Sequence, residues 1–298
     1  RRYDIREISL KIKDKAEKSF LNTYELSMPQ YTAVFFNQKN SEALKEINVR
    51  KALASSINKD ELVQNTLGTS GQALNGPFPP LLKDYNTTLT TSTYNTAAAS
   101  KFLTDAKWVA INRDDYIKIK FAAQKKTYEA TVSSTPGFVM PDDNAITEEI
   151  KSGLFPNQEK FWKKGELTLD IELVTSNTPL LVDVASKIAA YWHELGVNVS
   201  LKFIEPKSLL REAIRERNYD AMLFGQILGR NYDLYPFWHS SQNEYPGLNL
   251  SVYTDREIDD LLTASRSNLN EAEKTKATLK IQELMFSRLP AIFLYREP

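Results

Sequence analysis

The sequence predicts an α/β fold, a mixed sheet flanked by helices, with a small inserted subdomain. Three observations predict it. Residues Leu167 to Phe224 alternate strand, helix, strand, helix, strand. Runs of β-branched and aromatic residues in "YTAVFFNQ" and "PAIFLY" add strands near either end of the chain. Residues 109–164 interrupt an otherwise regular alternation of elements.

"YTAVFFNQ", from Tyr31, reads as the first strand. "INVRKALASSINKDELVQNTLG" reads as two short helices, with Val49, Leu53 and Ile57 stacked at four-residue spacing. Asn58 followed by Glu61 resembles a capping box for the second of them. The prolines of "NGPFPP" exclude helix and central strand, and "DYNTTLTTSTYNT" is a polar connection. "AAASKFLTDAKW" is a short amphipathic helix. Within 109–164, "YIKIKFAAQKKTYEATVS" reads as a hairpin and "PGFVMPDD" as a turn-rich stretch, together an inserted surface subdomain.

"LTLDIELVT" resumes the alternation as a strand. The helix after it takes Thr178 as N-cap and Pro179 as first residue, and Gly196 falls where a left-handed residue closes it. Leu181, Val184, Ile188, Trp192 and Leu195 form its buried stripe. The strand "VNVSLKFIE", the helix "PKSLLREAIRERN" and the strand "YDAMLFG" follow. Short connections of this kind imply neighbouring parallel strands with right-handed crossovers. "TDREIDDLLTASRS" reads as a helix capped through Thr254 and Glu257, "NEAEKTKATLKIQELMFSRL" as a longer helix, and "PAIFLY" as a closing strand.

Composition excludes several function classes. Lys+Arg and Asp+Glu number 38 each, so no net positive field draws nucleic acid. The absence of cysteine removes disulfides, thiol nucleophiles and thiolate metal sites. No apolar run reaches membrane length, and "RRYDIREISL" has neither an initiator Met nor the apolar core of a signal peptide, so the chain reads as mature or trimmed. Phosphate-binding loops, the dinucleotide fingerprint, the nucleophile elbow and H-E-x-x-H are missing, with only 10 glycines and 2 histidines in the chain. His193, beside the apolar stripe of its helix, reads as a solvated residue. The neighbouring carboxylates Asp142/Asp143, Glu148/Glu149 and Asp259/Asp260 diverge on any helix or strand and read as solvated faces. These observations argue against an enzyme, and no catalytic residues, metal ligands or cofactor are expected.

The sequence concentrates costly side chains in one irregular stretch, "FGQILGRNYDLYPFWHSSQ", directly after the strand "YDAML". Open α/β sheets bind ligands beyond the carboxyl ends of their strands, and this stretch lies at such an end. Tyr235, Phe237 and Trp238 also suit a core plug beneath the loop, Phe237 above all.

"NVRKALASSINKDELVQ" resembles the signature of the extracellular solute-binding proteins of the oligopeptide/dipeptide/nickel class (family 5), which serve ABC importers. The likeness lies in a Val-Arg-x-Ala-Leu helix, a small-residue turn and an Ile-Asn-Lys cap. "AVFFNQKN", "AAASKFLTDAKW", "IAAYWHELGVNVSLKFI", the Tyr-Asp-Ala strand with its Asp-bearing loop and the Pro-x-Ile-x-Leu-Tyr strand follow the family's order from Tyr31 to Tyr295. Two departures stand out. Lys107 replaces the usual Gly, so that helix is expected to end differently, and 109–164 exceeds the usual connection.

The resemblance implies a periplasmic-binding-protein type II-like lobe at 31–298, with residues 1–30 as a remnant of, or lead-in from, a first lobe. It implies a peptide or similar small solute held in an interlobe cleft, delivery to ABC permease subunits, and a monomer outside the cytoplasm, anchored as a lipoprotein. Other solutes (a nickel chelate, a sugar, heme) and a sensory or adhesive lobe are the alternatives. Asp233 matches the family position that receives a peptide's terminal ammonium, although it also suits a turn cap. Tyr232 and Trp238 are then candidate walls, Gln226 a partner for peptide backbone, and Arg230 a partner for a carboxylate or a brace for Asp233. Phe36 and Asn37 are expected to border the same cleft.

Overall fold

The structure is a computed structural model that describes residues 29–68, 71–80, 82, 84–89, 94–229, 231–267 and 270–297. The lead-in at 1–30 thus falls almost wholly outside the described residues. The first strand, β1 (Gln30–Phe36), is followed by helices α1 (Glu42–Lys45), α2 (Ile47–Ser55) and α3 (Lys59–Leu67), a short β2 (Gln72–Ala73) and α4 (Thr96–Asp105). Next come β3 (Val109–Asn112), α5 (Arg113–Ser134), α6 (Asp143–Ser152), β4 (Lys160–Lys164) and β5 (Leu167–Thr168). The regular alternation is β6 (Asp170–Ser176), α7 (Pro179–Leu195), β7 (Asn198–Ile204), α8 (Pro206–Leu209) and β8 (Ala221–Ile227). The chain closes through α9 (Tyr235–Trp238), α10 (Arg256–Ser265), α11 (Glu271–Arg288) and β9 (Ala291–Arg296).

The main sheet runs β2-β9-β1-β8-β6-β7. β1 is antiparallel to both β8 and β9, whereas β6 is parallel to β7 and β8, so the sheet is mixed. Alternate residues of β1 feed opposite faces. Val34 and Phe36 pack with Leu53, Ile188 and Trp192 beneath α2 and α7. Tyr31, Ala33 and Phe35 pack with Ile258, Ile281 and Met285 beneath α10 and α11. A second sheet, β3-β4-β5, carries α5 and α6 between its first two strands.

Two signature side chains are internal clamps. The buried Arg50 guanidinium donates to the carbonyls of Leu44, Lys45, Arg288 and Leu289, the last two at the C-terminal end of α11, where carbonyls lack helical partners. Lys59, at the start of α3, donates to Leu74 O and Asn75 Oδ1 at 2.8 and 2.9 Å and to Phe293 O at 3.4 Å, pinning α3 to β9. Burial lowers the Lys59 pKa to about 8.

The structure departs from several sequence expectations. β8 does not lie beside β7; it inserts between β1 and β6. Ala221 to Leu223 are fully buried and need neighbours on both sides, while β7, with exposed Ser200 and half-buried Lys202, suits the sheet edge. "YIKIKFAAQKKTYEATVS" is helix rather than hairpin. Asn112 accepts from the Asp115 N–H, Asp114 and Asp115 sit at the positive end of the dipole, and the remainder of the helix is rich in Ala, Gln, Lys and Glu. The segment after Pro206 becomes a π turn over Leu210–Ile214 instead of a continuous α-helix. The cap of α10 is Asp255, which accepts from Glu257 N and Ile258 N, one residue past Thr254.

Lys107 takes a left-handed φ of 69°, with Lys107 N bonded to Thr104 O and Trp108 N to Leu103 O. That helix therefore ends as a glycine would end it, with the strain carried by a lysine. His193 is not a solvated residue: it is half-buried, stacked on Phe155 at 4.1 Å between ring centroids, and burial lowers its pKa. Gly196 closes α7 at φ 102° as expected.

Candidate ligand-binding site

Backbone register defines the site. Asn37 N donates to Asp220 O at one end of the β1–β8 pair and Leu228 N to Pro29 O at the other. In an antiparallel pair, groups alternate side by side along the strand, so Met222, Phe224 and Gln226 address β1. Ala221, Leu223, Gly225 and Ile227 address β6. The ladder to β6 covers only Leu173–Ala221 and Val174–Met222. The Leu223 carbonyl accepts the Thr175 hydroxyl at 2.8 Å, and the ladder goes no further.

The main-chain groups of Gly225 and Ile227 therefore face a split between β6 and β8, and among the described residues no strand lies opposite them. Gly225 is exposed and Ile227 is 54% exposed. At the mouth of the split, the end of β6 carries Ser176, whose buried hydroxyl has no partner among the described residues. Sequence reasoning missed Gly225. A glycine inside a strand signals close approach by another backbone, and that signal was present.

The loop after β8 holds Asp233. Its Oδ1 accepts from Tyr235 N at 3.0 Å, which caps the turn into α9. Both oxygens also receive Arg266, through Nε at 3.2 and 3.0 Å and Nη2 at 2.5 Å. The Arg266 guanidinium lies 3.9 Å from the Tyr235 ring centroid, and His239 stacks with the same ring at 4.2 Å. The carboxylate raises the Arg266 pKa. The brace for Asp233 is thus Arg266, 33 residues away, which no local spacing could reveal; Arg230 lies outside the described residues.

The structure brings only part of the predicted constellation together. Asp233 and Tyr232 are partly exposed in the loop, with Tyr232 at a left-handed φ of 50°. Trp238 is no wall: it is 1% exposed and packs between Phe35 and Phe293. Gln226 is buried too, accepting from the Tyr31 hydroxyl and donating to Leu248 O at 2.9 Å. Phe237 packs against the core beneath α10 as expected. Phe36 and Asn37 lie at the opposite end of the sheet, because β1 runs antiparallel to β8 and ends beside Ala221. There Asn37 donates to Arg217 O at 2.8 Å and does not border the split.

A model of the bacterial extracellular solute-binding proteins, family 5 Middle, matches residues 3–245. The chain belongs to this family. Among family 5 relatives, it is 23% identical over 268 residues to the oligopeptide-binding protein AppA of Bacillus subtilis, covering 89% of this chain and 41% of AppA. The structure of B. subtilis AppA with a nonapeptide superposes with a TM-score of 0.70 at 21% identity, covering 96% of this chain and 49% of that one. NikZ of Campylobacter jejuni with Ni(L-His) gives 0.66 at 19% identity, covering 97% and 49%. DppA of Helicobacter pylori with the peptide STSA gives 0.67 at 18% identity, covering 96% and 46%. The fold is the periplasmic-binding-protein type II-like α/β fold of these structures. The chain spans about half the length of the relatives it matches.

Proposed function

We propose that this chain is one lobe of a solute-binding protein that captures short peptides outside the cytoplasm for an ABC importer. The observation that carries the reading is the split between β6 and β8. Gly225 and Ile227 each turn a main-chain donor and acceptor toward it, and among the described residues no strand answers them. An extended peptide is the ligand whose own backbone answers such an edge, by adding a strand. Asp233, in the loop leaving the same strand, is suited to the peptide's terminal ammonium, since a partly buried ammonium needs a charged, hydrogen-bonded partner. Tyr232 contributes a partly exposed aromatic surface beside it.

Peptide-binding relatives support this reading, and the Ni(L-His) and Fe(III)-EDTA complexes of NikZ and of Brucella suis NikA define the alternative, a chelated metal. His239 does not favour the alternative: its ring is stacked on Tyr235 and its Nδ1 lies 2.9 Å from Ser241 Oγ. Native mass spectrometry of the protein at its full natural length tests the proposal. Co-purifying or added peptides of a few residues are expected to remain bound. Retention of a sugar or metal chelate, with no peptide retained from a mixed library, contradicts it.

A further inference from the structure

We infer that Arg266 is an internal competitor for the ligand's ammonium at Asp233, and so sets how strongly the site selects ligands with a free amino terminus. The inference rests on the reading of Asp233 given above. A carboxylate presents about four lone-pair directions. Three N–H donors already converge on Asp233: Tyr235 N, Arg266 Nε and Arg266 Nη2. The guanidinium also supplies the full compensating charge. An arriving ammonium therefore meets a neutralised carboxylate with a cation beside it. It must either displace Arg266 or bind next to a like charge, and Arg266 opposes binding in both cases.

The geometry makes that opposition graded. Arg266 is held by more than charge: its plane lies over Tyr235, and it follows the last residue of α10, where a cation is favoured by the helix dipole. Yet the Asp233 and Arg266 side chains are 37% and 44% exposed. An ion pair this wet is weakly held, within reach of exchange by a ligand that also gains main-chain bonds. A ligand lacking a free amine gains nothing from Asp233 and is indifferent to Arg266. The residue thus tunes discrimination between amine-bearing and blocked ligands without shaping the rest of the site.

Isothermal titration calorimetry tests this, using one peptide in free-amine and N-acetylated forms on the full natural-length protein. Arg266→Met is expected to tighten the free-amine form about fivefold and to leave the acetylated form within about twofold. Arg266→Lys, which keeps the charge but loses the fork, is expected to fall between. Comparing two ligands on one variant cancels any change in the folded fraction. A free-to-acetylated ratio that is unchanged or lower in Arg266→Met overturns the inference. Asp233→Asn separates the two readings. If it leaves the wild-type ratio intact, Asp233 does not receive the ammonium and both fail. If it abolishes the ratio while Arg266→Met does not raise it, only the competitor fails.

Discussion

Trp238 donates its indole N–H to the Tyr31 hydroxyl at 3.0 Å, and the Tyr31 hydroxyl donates in turn to Gln226 Oε1. Gln226 completes the chain by donating to Leu248 O. One buried line of hydrogen bonds therefore ties the loop after β8 to the start of β1 and to the segment before α10. Trp238, which looked like a ligand wall, holds the loop instead.

Trp238→Ala is accordingly expected to lower stability by about 3–5 kcal/mol, the range for deleting a large buried aromatic side chain. Urea unfolding followed by fluorescence of the remaining tryptophans measures it. A loss below about 1 kcal/mol accompanied by lost ligand affinity would return Trp238 to the cleft.

Lys107→Gly is expected to stabilise the fold by about 1 kcal/mol, because a left-handed φ of 69° is strained for lysine and free for glycine. Thermal unfolding monitored by circular dichroism reads the shift. A decrease in melting temperature would mean that the lysine side chain contributes more than its backbone strain.

Lys59 links stability to pH. Its folded pKa is lowered to about 8 from 10.5 by burial, so between those values the unfolded chain binds the extra proton. Wild-type stability, relative to Lys59→Met, is therefore expected to rise by about 1.4 kcal/mol for each pH unit from about 8 to about 10 and to stay level below about 7. Denaturant titrations of both proteins across this range check the sign. A difference that falls with rising pH contradicts a desolvated ammonium.

Gly225→Val is expected to fold and to bind peptide at least about tenfold more weakly, a loss of about 1.4 kcal/mol. A Cβ built at Gly225 meets Thr32 Oγ1 at 3.6 Å and Tyr31 O at 3.8 Å, ordinary contacts that leave the strand intact. The added side chain stands on the exposed face of the strand beside the split, where a bound peptide is expected to lie. Unchanged affinity in calorimetry would move the peptide away from this edge.

The elements whose signals are local were legible in the sequence. Pro179 and Gly196 mark the ends of α7, Asn58 caps α3 through Glu61 N, and the β-branched run of β6 is a strand. The features that were not legible depend on partners distant in the chain. The place of β8 between β1 and β6 rests on antiparallel pairing with a strand near the other end of the described chain, and with it went the expectation for Phe36 and Asn37. The Asp233–Arg266 pair spans 33 residues without periodicity. In α5, alternation over Tyr116–Phe121 resembled a strand, and the Asn112 cap together with the later helix-forming residues outweighed it. Asp233 stood out through its match to the family position, whereas the strand glycine Gly225 gave a signal whose meaning depends on the end of the ladder beside it.

Amide hydrogen exchange at Gly225 and Ile227, followed by NMR with and without a saturating short peptide, tests the central claim most directly. If a peptide adds a strand in the split, both amides exchange markedly more slowly when it is bound, while Met222 and Phe224, already bonded toward β1, change little. Saturation of the protein with no slowing at Gly225 and Ile227 would contradict it.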